Sequence, residues 1–217
     1  MSDIIFRPAG LDDAPLIAAL HADSWRRHYR GAYADAYLDG DLDADRLAVW
    51  SGRLAERDGT STFIAIRDES ARIHGTGAGA GARESPEAAD LAGVSGAPGR
   101  PEAAGFVHVV FDRVPEWGSL VDNLHVVHHQ HRSGVGTHLL ALAAQAVIDR
   151  ASTPALFLWV LEQNIAAQHF YLASGATRGE RLPSSPPGGD RSRLHGTPHK
   201  FRMVWPDATV LARKLPS

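Results

Sequence analysis

The stretch Ser119–Arg150, SLVDNLHVVHHQHRSGVGTHLLALAAQAVIDR, limits the folds open to this chain more than any other. An apolar, β-branched run from Leu120 to Val127 enters a polar turn rich in histidine. Gly134 and Gly136 follow with one residue between them. Apolar residues then recur as Val135, Leu139, Leu142 and Ala146, at helical spacing. Strand, glycine turn and helix in that order form a layout for holding an anion. Glycines let the backbone approach closely, and the first amides of a helix have no internal partner. Those amides and the helix dipole suit a phosphate. A nucleoside triphosphate loop does not fit, because Gly136 is followed by Thr137-His138 and not by Lys-Ser/Thr.

The rest of the composition narrows the setting. The 217 residues suit one domain, 1–217, at the usual ~100–200 residues per domain. A formal net charge of −3 gives no reason to expect nucleic acid as the main partner. No apolar run reaches the ~20 residues that span a bilayer, so no membrane partner is expected. MSDIIFRPAG has no basic region leading into a long apolar core, and a cytoplasmic location is the expectation. The chain has no cysteine, which excludes disulfides, cysteine-based zinc sites and an acyl-cysteine intermediate.

In chain order, Ile4 to Arg7 reads as a strand. Asp12 or Asp13 then caps a helix with Pro15 in its first turn and Leu16, Ile17 and Leu20 on its buried side, running towards His28. Trp25, Tyr29, Tyr33 and Tyr37 fall every four residues, and Asp35, Asp39, Asp41, Asp43 and Asp45 crowd behind them. A second helix carries Leu47, Trp50 and Leu54 on one face and ends near Gly59. Thr62–Ile66 and Gly105–Phe111 read as strands. Between them, 75–104 is a glycine- and alanine-rich insertion that buries too little apolar surface to offset its ordering entropy, and it is expected to be flexible. Ala155–Leu161 is a buried strand, and Asn164 caps a helix stopped by Gly175. Arg178–Leu182 and Lys200–Trp205 are the last strands, separated by a Pro/Gly/Ser loop at 183–198. The order β-α-α-β-β-β-α-β-α-β-β predicts an α/β domain with a mixed sheet flanked by helices.

These residues resemble the GCN5-related N-acetyltransferases, the GNAT superfamily. His131-Arg132-Ser133-Gly134-Val135-Gly136 is similar to the family's Gln/Arg-x-x-Gly-x-Gly/Ala signature, with His131 as the departure. LWVLEQNIAAQHFYLASGA resembles its Asn-x-x-Ala-x-x-Phe-Tyr-x-x-x-Gly helix through Asn164, Ala167, Phe170, Tyr171 and Gly175. Trp25, Tyr29, Gly31 and Tyr37 resemble the opening helices of one bacterial branch. The likeness spans the chain apart from 75–105 and 183–198. It implies a mostly antiparallel central sheet and transfer of acetyl from acetyl-CoA to a primary amine, small-molecule or peptide, by direct attack in a ternary complex. It leaves a homodimer open.

The resemblance implies that His131, Arg132, Ser133, Gly134, Val135, Gly136 and Thr137 surround the CoA pyrophosphate, chiefly through backbone amides. It implies that the strand Leu124-His125-Val126 pairs with the pantetheine arm, with an amide near Val126 facing the thioester oxygen. Asn164 caps its helix and reaches the same arm. Tyr171 is the implied general acid, since a tyrosine of pKa ~10 can protonate a thiolate whose acid is near ~8.5; a packing role is the alternative. For the general base, Asp122, His125 and Glu162 all stay open. Trp25, Tyr29 and Tyr33 are candidates for the acceptor wall, with a plain aromatic core as the other reading. His125, His128, His129 and His131 lack metal-ligand spacing, so no metal is expected. A non-catalytic acyl-CoA sensor of the same fold is the alternative function.

Overall fold

The structure is a computed structural model that describes residues 4–67 and 101–215. Its strands are β1 (Ile4–Pro8), β2 (Thr60–Arg67), β3 (Glu102–Val114), β4 (Gly118–Val126), β5 (Leu156–Leu161), β6 (Thr177–Pro183) and β7 (His199–Trp205). They form one sheet in the order β1-β2-β3-β4-β5-β7-β6. Every pairing is antiparallel except that of β4 with β5. A parallel neighbour needs a crossover, and α4 (Val135–Arg150) supplies it.

Two layers of helix cover the sheet. On one face lie α1 (Ala14–His28) and α3 (Leu42–Ala55), with Ile17 and Trp50 packed against Ile64 and Phe106. On the other lie α4, α5 (Ile165–Ala173) and the short α6 (Thr209–Ala212). Strand alternation divides β3 between the faces: Phe106 goes to α1 and α3, while Val107 and Val109 meet Leu139 and Leu140 of α4. Gly105 allows α4 to come this close, since a Cβ there would lie 2.9 Å from Leu139 Cδ1 and 2.9 Å from the His125 carbonyl oxygen. A third cluster joins Trp25 and Tyr33 to Leu38, Leu42 and Leu161 around the short α-helix α2 (Asp35–Leu38).

Several expectations change. Leu47 is exposed although helical spacing sets it near Trp50 and Leu54; the buried stripe of this helix is Leu42, Arg46, Trp50 and Leu54, so Leu47 lies at its edge. That helix ends at Ala55, before Gly59. Asp13 does not cap α1 with its side chain; its carboxylate takes Gly10 N–H at 2.7 Å and two nitrogens of Arg7 at 2.7 Å each. β3 begins at Glu102, so 102–104 are strand and not insertion; positions 75–100 lie outside the described residues. The 184–198 loop is held in place: Tyr33 bridges to Leu194, Ala34 N–H donates to Arg193 O at 2.9 Å, and His195 N–H donates to Ala32 O at 2.9 Å. Local composition could not reveal pairing with a segment so far away in the chain.

Candidate active site

The parallel pairing of β4 with β5 is brief. It links Ser119 to Leu156, Leu120 to Phe157 and Val121 to Leu158, and then stops. Beyond Val121 a gap separates the two strands. At the same level β3 pairs His108 with Asn123 and Val109 with Val121, leaving Asp122 as an extra residue on β4. A bulge of this kind bends a strand and re-aims its side chains.

Backbone direction follows from one hydrogen bond. Val127 N–H donates to Ala104 O on β3 at 3.0 Å. Alternation then turns the N–H and C=O of Val126 and Leu124 away from β3, towards the gap. The Val126 carbonyl already accepts from His131 Nε2 at 3.1 Å. The backbone of His125 points to β3. Its side chain is buried on the α1 face, 2.7 Å from Ser24 Oγ, and burial lowers its pKa to about 3.

The glycine turn stands at the end of β4. Gly134 has φ +91° and forms the N-cap of α4, and a Cβ on it would meet nothing within 4 Å. Arg132 is also left-handed, at φ +65°. The helical ladder starts with His138 N–H donating to Gly134 O at 3.0 Å, so the amides of Val135, Gly136 and Thr137 precede it and have no intrahelical acceptor. A Cβ on Gly136 would lie 3.5 Å from Val126 Cγ2 and 3.6 Å from Phe170 Cζ, so the turn sits beside β4 and α5. Ser133 Oγ donates to Gln130 O at 2.6 Å and helps to shape the turn.

On α5, Asn164 Oδ1 accepts from Ala167 N–H at 3.1 Å, an N-cap bond. Two turns on, Tyr171 is buried with its ring 6.0 Å from that of Trp205. Burial raises its pKa beyond the ordinary tyrosine range, and Tyr29 adds to the rise. Tyr29 comes from the end of α1. Burial also lifts Tyr29 to about 12, with the Asp122 carboxylate as the second cause.

Trp25, Tyr29 and Tyr33 form one aromatic wall, with ring centroids 5.4 Å (Trp25–Tyr29), 5.1 Å (Trp25–Tyr33) and 4.8 Å (Tyr29–Tyr33) apart. Trp25 is on α1, Tyr29 ends it, Tyr33 lies in the next turn and Tyr37 in α2, so no single helix carries the four-residue spacing. Most of the acidic run is consumed internally. Arg30 pairs with Asp35 and Asp39, Arg26 with Asp43, and Arg46 and Arg193 with Asp45.

The three open base candidates part company. Glu162 is an exposed ion pair with Arg181, bonded at 2.9 and 2.7 Å, and the guanidinium holds it below the usual carboxylate range. His125 is buried against Ser24, and burial pushes its pKa down to about 3. Asp122 lies in the β4 bulge, its side chain one-third exposed and paired with Arg53 at 2.7 Å. Arg53 also donates to Asn123 Oδ1 at 2.6 Å and lies over the Trp50 ring. No local signal marks Arg53 or Asn123. Among the described residues, no group of three or more His, Cys, Asp or Glu could hold a metal ion; His128 and His129 are exposed, and His129 faces Arg67.

A model of the Acetyltransferase (GNAT) family matches residues 20–176, well over half of the chain. The chain belongs to the GNAT acetyltransferase family. Solved structures repeat its fold. PaiA N-acetyltransferase from Thermoplasma acidophilum, in complex with coenzyme A, is 12% identical and aligns at a TM-score of 0.59 over 94% of this chain and 99% of its own. A GCN5-related N-acetyltransferase from Rhodopseudomonas palustris is 20% identical, with a TM-score of 0.58 over 94% and 96%. Arabidopsis thaliana NAA60 in complex with a bisubstrate analogue is 16% identical, with a TM-score of 0.55 over 94% and 98%. No curated protein is significantly similar in sequence. Among the described residues of this GNAT chain, no helix is long and apolar enough to cross a membrane.

Proposed function

We propose that this GNAT acetyltransferase moves the acetyl group of acetyl-CoA onto a primary amine by direct attack in a ternary complex. The gap between β4 and β5 carries the reading: the backbone of Leu124 and the N–H of Val126 turn towards it, and the buried Tyr171 is the acid assigned to it. The pyrophosphate belongs on the amides of Val135, Gly136 and Thr137, where the dipole of the sixteen-residue α4 favours negative charge. His131, Arg132 and Ser133 shape the turn before them. The pantetheine lies along Leu124 and Val126, and the thioester oxygen faces the Val126 amide, which stabilises the tetrahedral oxyanion. The PaiA relative bound to coenzyme A supports the choice of co-substrate.

The chemistry then balances. The amine nitrogen attacks the carbonyl carbon, the C–N bond forms, and the C–S bond breaks as the intermediate collapses. Asp122, directly or through water, takes the proton that the amine loses. Its place in the β4 bulge, where pairing with β5 ends, supports this choice. Tyr171 gives its proton to the departing thiolate. A phenol held protonated by burial suits this role, because the same dry setting also makes the thiolate more basic. Trp25, Tyr29 and Tyr33 wall the acceptor, which is a small molecule or a peptide. No nucleic acid, metal or membrane takes part, and the reaction belongs in the cytoplasm. The site draws on one protomer, so a homodimer is compatible with it and not required. The test is thiol release from acetyl-CoA across a panel of amino acids, polyamines, peptides and amine antibiotics. Amine-dependent release is expected. Tight binding of acetyl-CoA with no release on any amine would replace this reading with the sensor.

A further inference from the structure

One cation beside the cleft has no part in the steps above. Lys200 is the second residue of β7 and pairs in register with Leu161, which packs against Trp25 and Tyr33. Its Nζ lies 4.6 Å from the centre of the Trp159 ring. Its neighbours are already matched: Arg202 pairs with Glu180, and Arg181 pairs with Glu162. Among the described residues no carboxylate lies within ion-pairing distance of Lys200.

Burial pulls the Lys200 pKa down, and Arg202 adds to the fall, while the Asp122 carboxylate works against it. Register places Lys200 opposite Leu161, three residues beyond the last β4–β5 pair at Leu158, at the end of β5 that meets Trp25 and Tyr33. On the acetyl-transfer reading Asp122 takes the proton of the reacting nitrogen, and Lys200 lies on β7, the strand on the other side of β5 from β4. A partly buried ammonium that meets an aromatic ring and no anion is only partly compensated, and an arriving anion would complete it. One positive charge next to a carboxylate suits a single negative charge.

We propose that Lys200 is a specificity-determining residue of the acceptor site. Its ammonium receives a carboxylate carried next to the reacting amine, so the acceptor is an α-amino acid or a close amino-carboxylate. The inference rests on the acetyl-transfer reading and narrows its acceptor. The aromatic wall of Trp25, Tyr29 and Tyr33 is left to contact the side chain of the amino acid.

The test compares kcat/KM with acetyl-CoA for each of the twenty standard amino acids against its decarboxylated amine. In the unaltered protein the preferred amino acid should exceed its amine by roughly ten- to hundredfold, the worth of one charge-assisted contact. In Lys200→Met this preference should collapse towards unity through KM, and Lys200→Arg should restore much of it. An amine that matches or exceeds its amino acid in the unaltered protein overturns the inference. So does a preference that survives Lys200→Met. Transfer to decarboxylated amines alone leaves the acetyl-transfer reading standing and removes only the amino-acid acceptor. Transfer to neither set, nor to any member of the wider amine panel, overturns both.

Discussion

Arg53 of α3 pairs with Asp122, the extra residue of the β4 bulge, at 2.7 Å. The same guanidinium donates to Asn123 at 2.6 Å, so one helix side chain fixes two consecutive residues at the point where β4 leaves β5. Arg53→Met keeps the stem over Trp50 and removes both contacts. Turnover should fall roughly ten- to hundredfold through misplacement of Asp122, with acetyl-CoA affinity nearly unchanged. Stability should drop by about 1–2 kcal/mol, as for other lost charged hydrogen bonds. Steady-state kinetics and urea unfolding check both halves. Unaltered turnover would separate Asp122 from the proton transfer.

Tyr171→Phe removes one hydroxyl and keeps the buried ring beside Trp205. General acid catalysis contributes about 10²–10⁴, so kcat should fall in that range. The affinity for acetyl-CoA, measured by calorimetry, should stay within about twofold, because ground-state binding does not use the proton. A variant as fast as its parent would assign protonation of the thiolate to another group.

The phosphate cradle can be tested with charge separated from strain. Gly134 has φ +91°, which costs most side chains about 1–2 kcal/mol, but asparagine tolerates the left-handed region. A Cβ there meets nothing within 4 Å, so size alone does no harm. Gly134→Asn should therefore keep most CoA affinity, whereas Gly134→Asp should lose it by setting a carboxylate against the pyrophosphate. Equal affinities for the two variants would move the phosphates elsewhere.

Three buried histidines make stability depend on pH. Burial lowers His125 to about 3 and His108 to about 4, and sets His21 well below its ordinary value. Unfolded histidine titrates near ~6.5, so between there and the folded values the unfolded chain binds more protons. Stability is complete above about pH 6.5 and is lost as pH falls towards 4. Each histidine contributes a slope of about 1.4 kcal/mol per pH unit within that window. Urea midpoints at pH 7.0, 6.0 and 5.0 should fall in sequence; a flat profile would contradict the burial of these rings.

The fold was legible where periodicity and caps are local. The helix after Gly134 and the capped helix after Asn164 could be read from spacing, and both are present. The four-residue α2 is too short to show a period. Leu47 matched an apolar pattern but stays exposed at the edge of the stripe formed by Leu42, Arg46, Trp50 and Leu54. The residue types of the candidate site could be named from the sequence, and their geometry could not. The bulge at Asp122 depends on how two strands register, and the aim of the Val126 backbone depends on a bond to Ala104. Arg53 is 70 positions from Asn123. Lys200 read only as the start of a strand, because its lack of a partner emerges only when the other charges of the sheet are paired.

The most direct test is a single turnover with enzyme in excess over acetyl-CoA. The complex is formed first, an accepted amine is then added, and free CoA thiol and acetylated amine are followed together. Thiol and product should form at one rate that rises with amine concentration, with no thiol released before the amine arrives. Thiol released ahead of the amine, or a bound thioester that persists at saturating amine, would contradict direct transfer at the gap between β4 and β5.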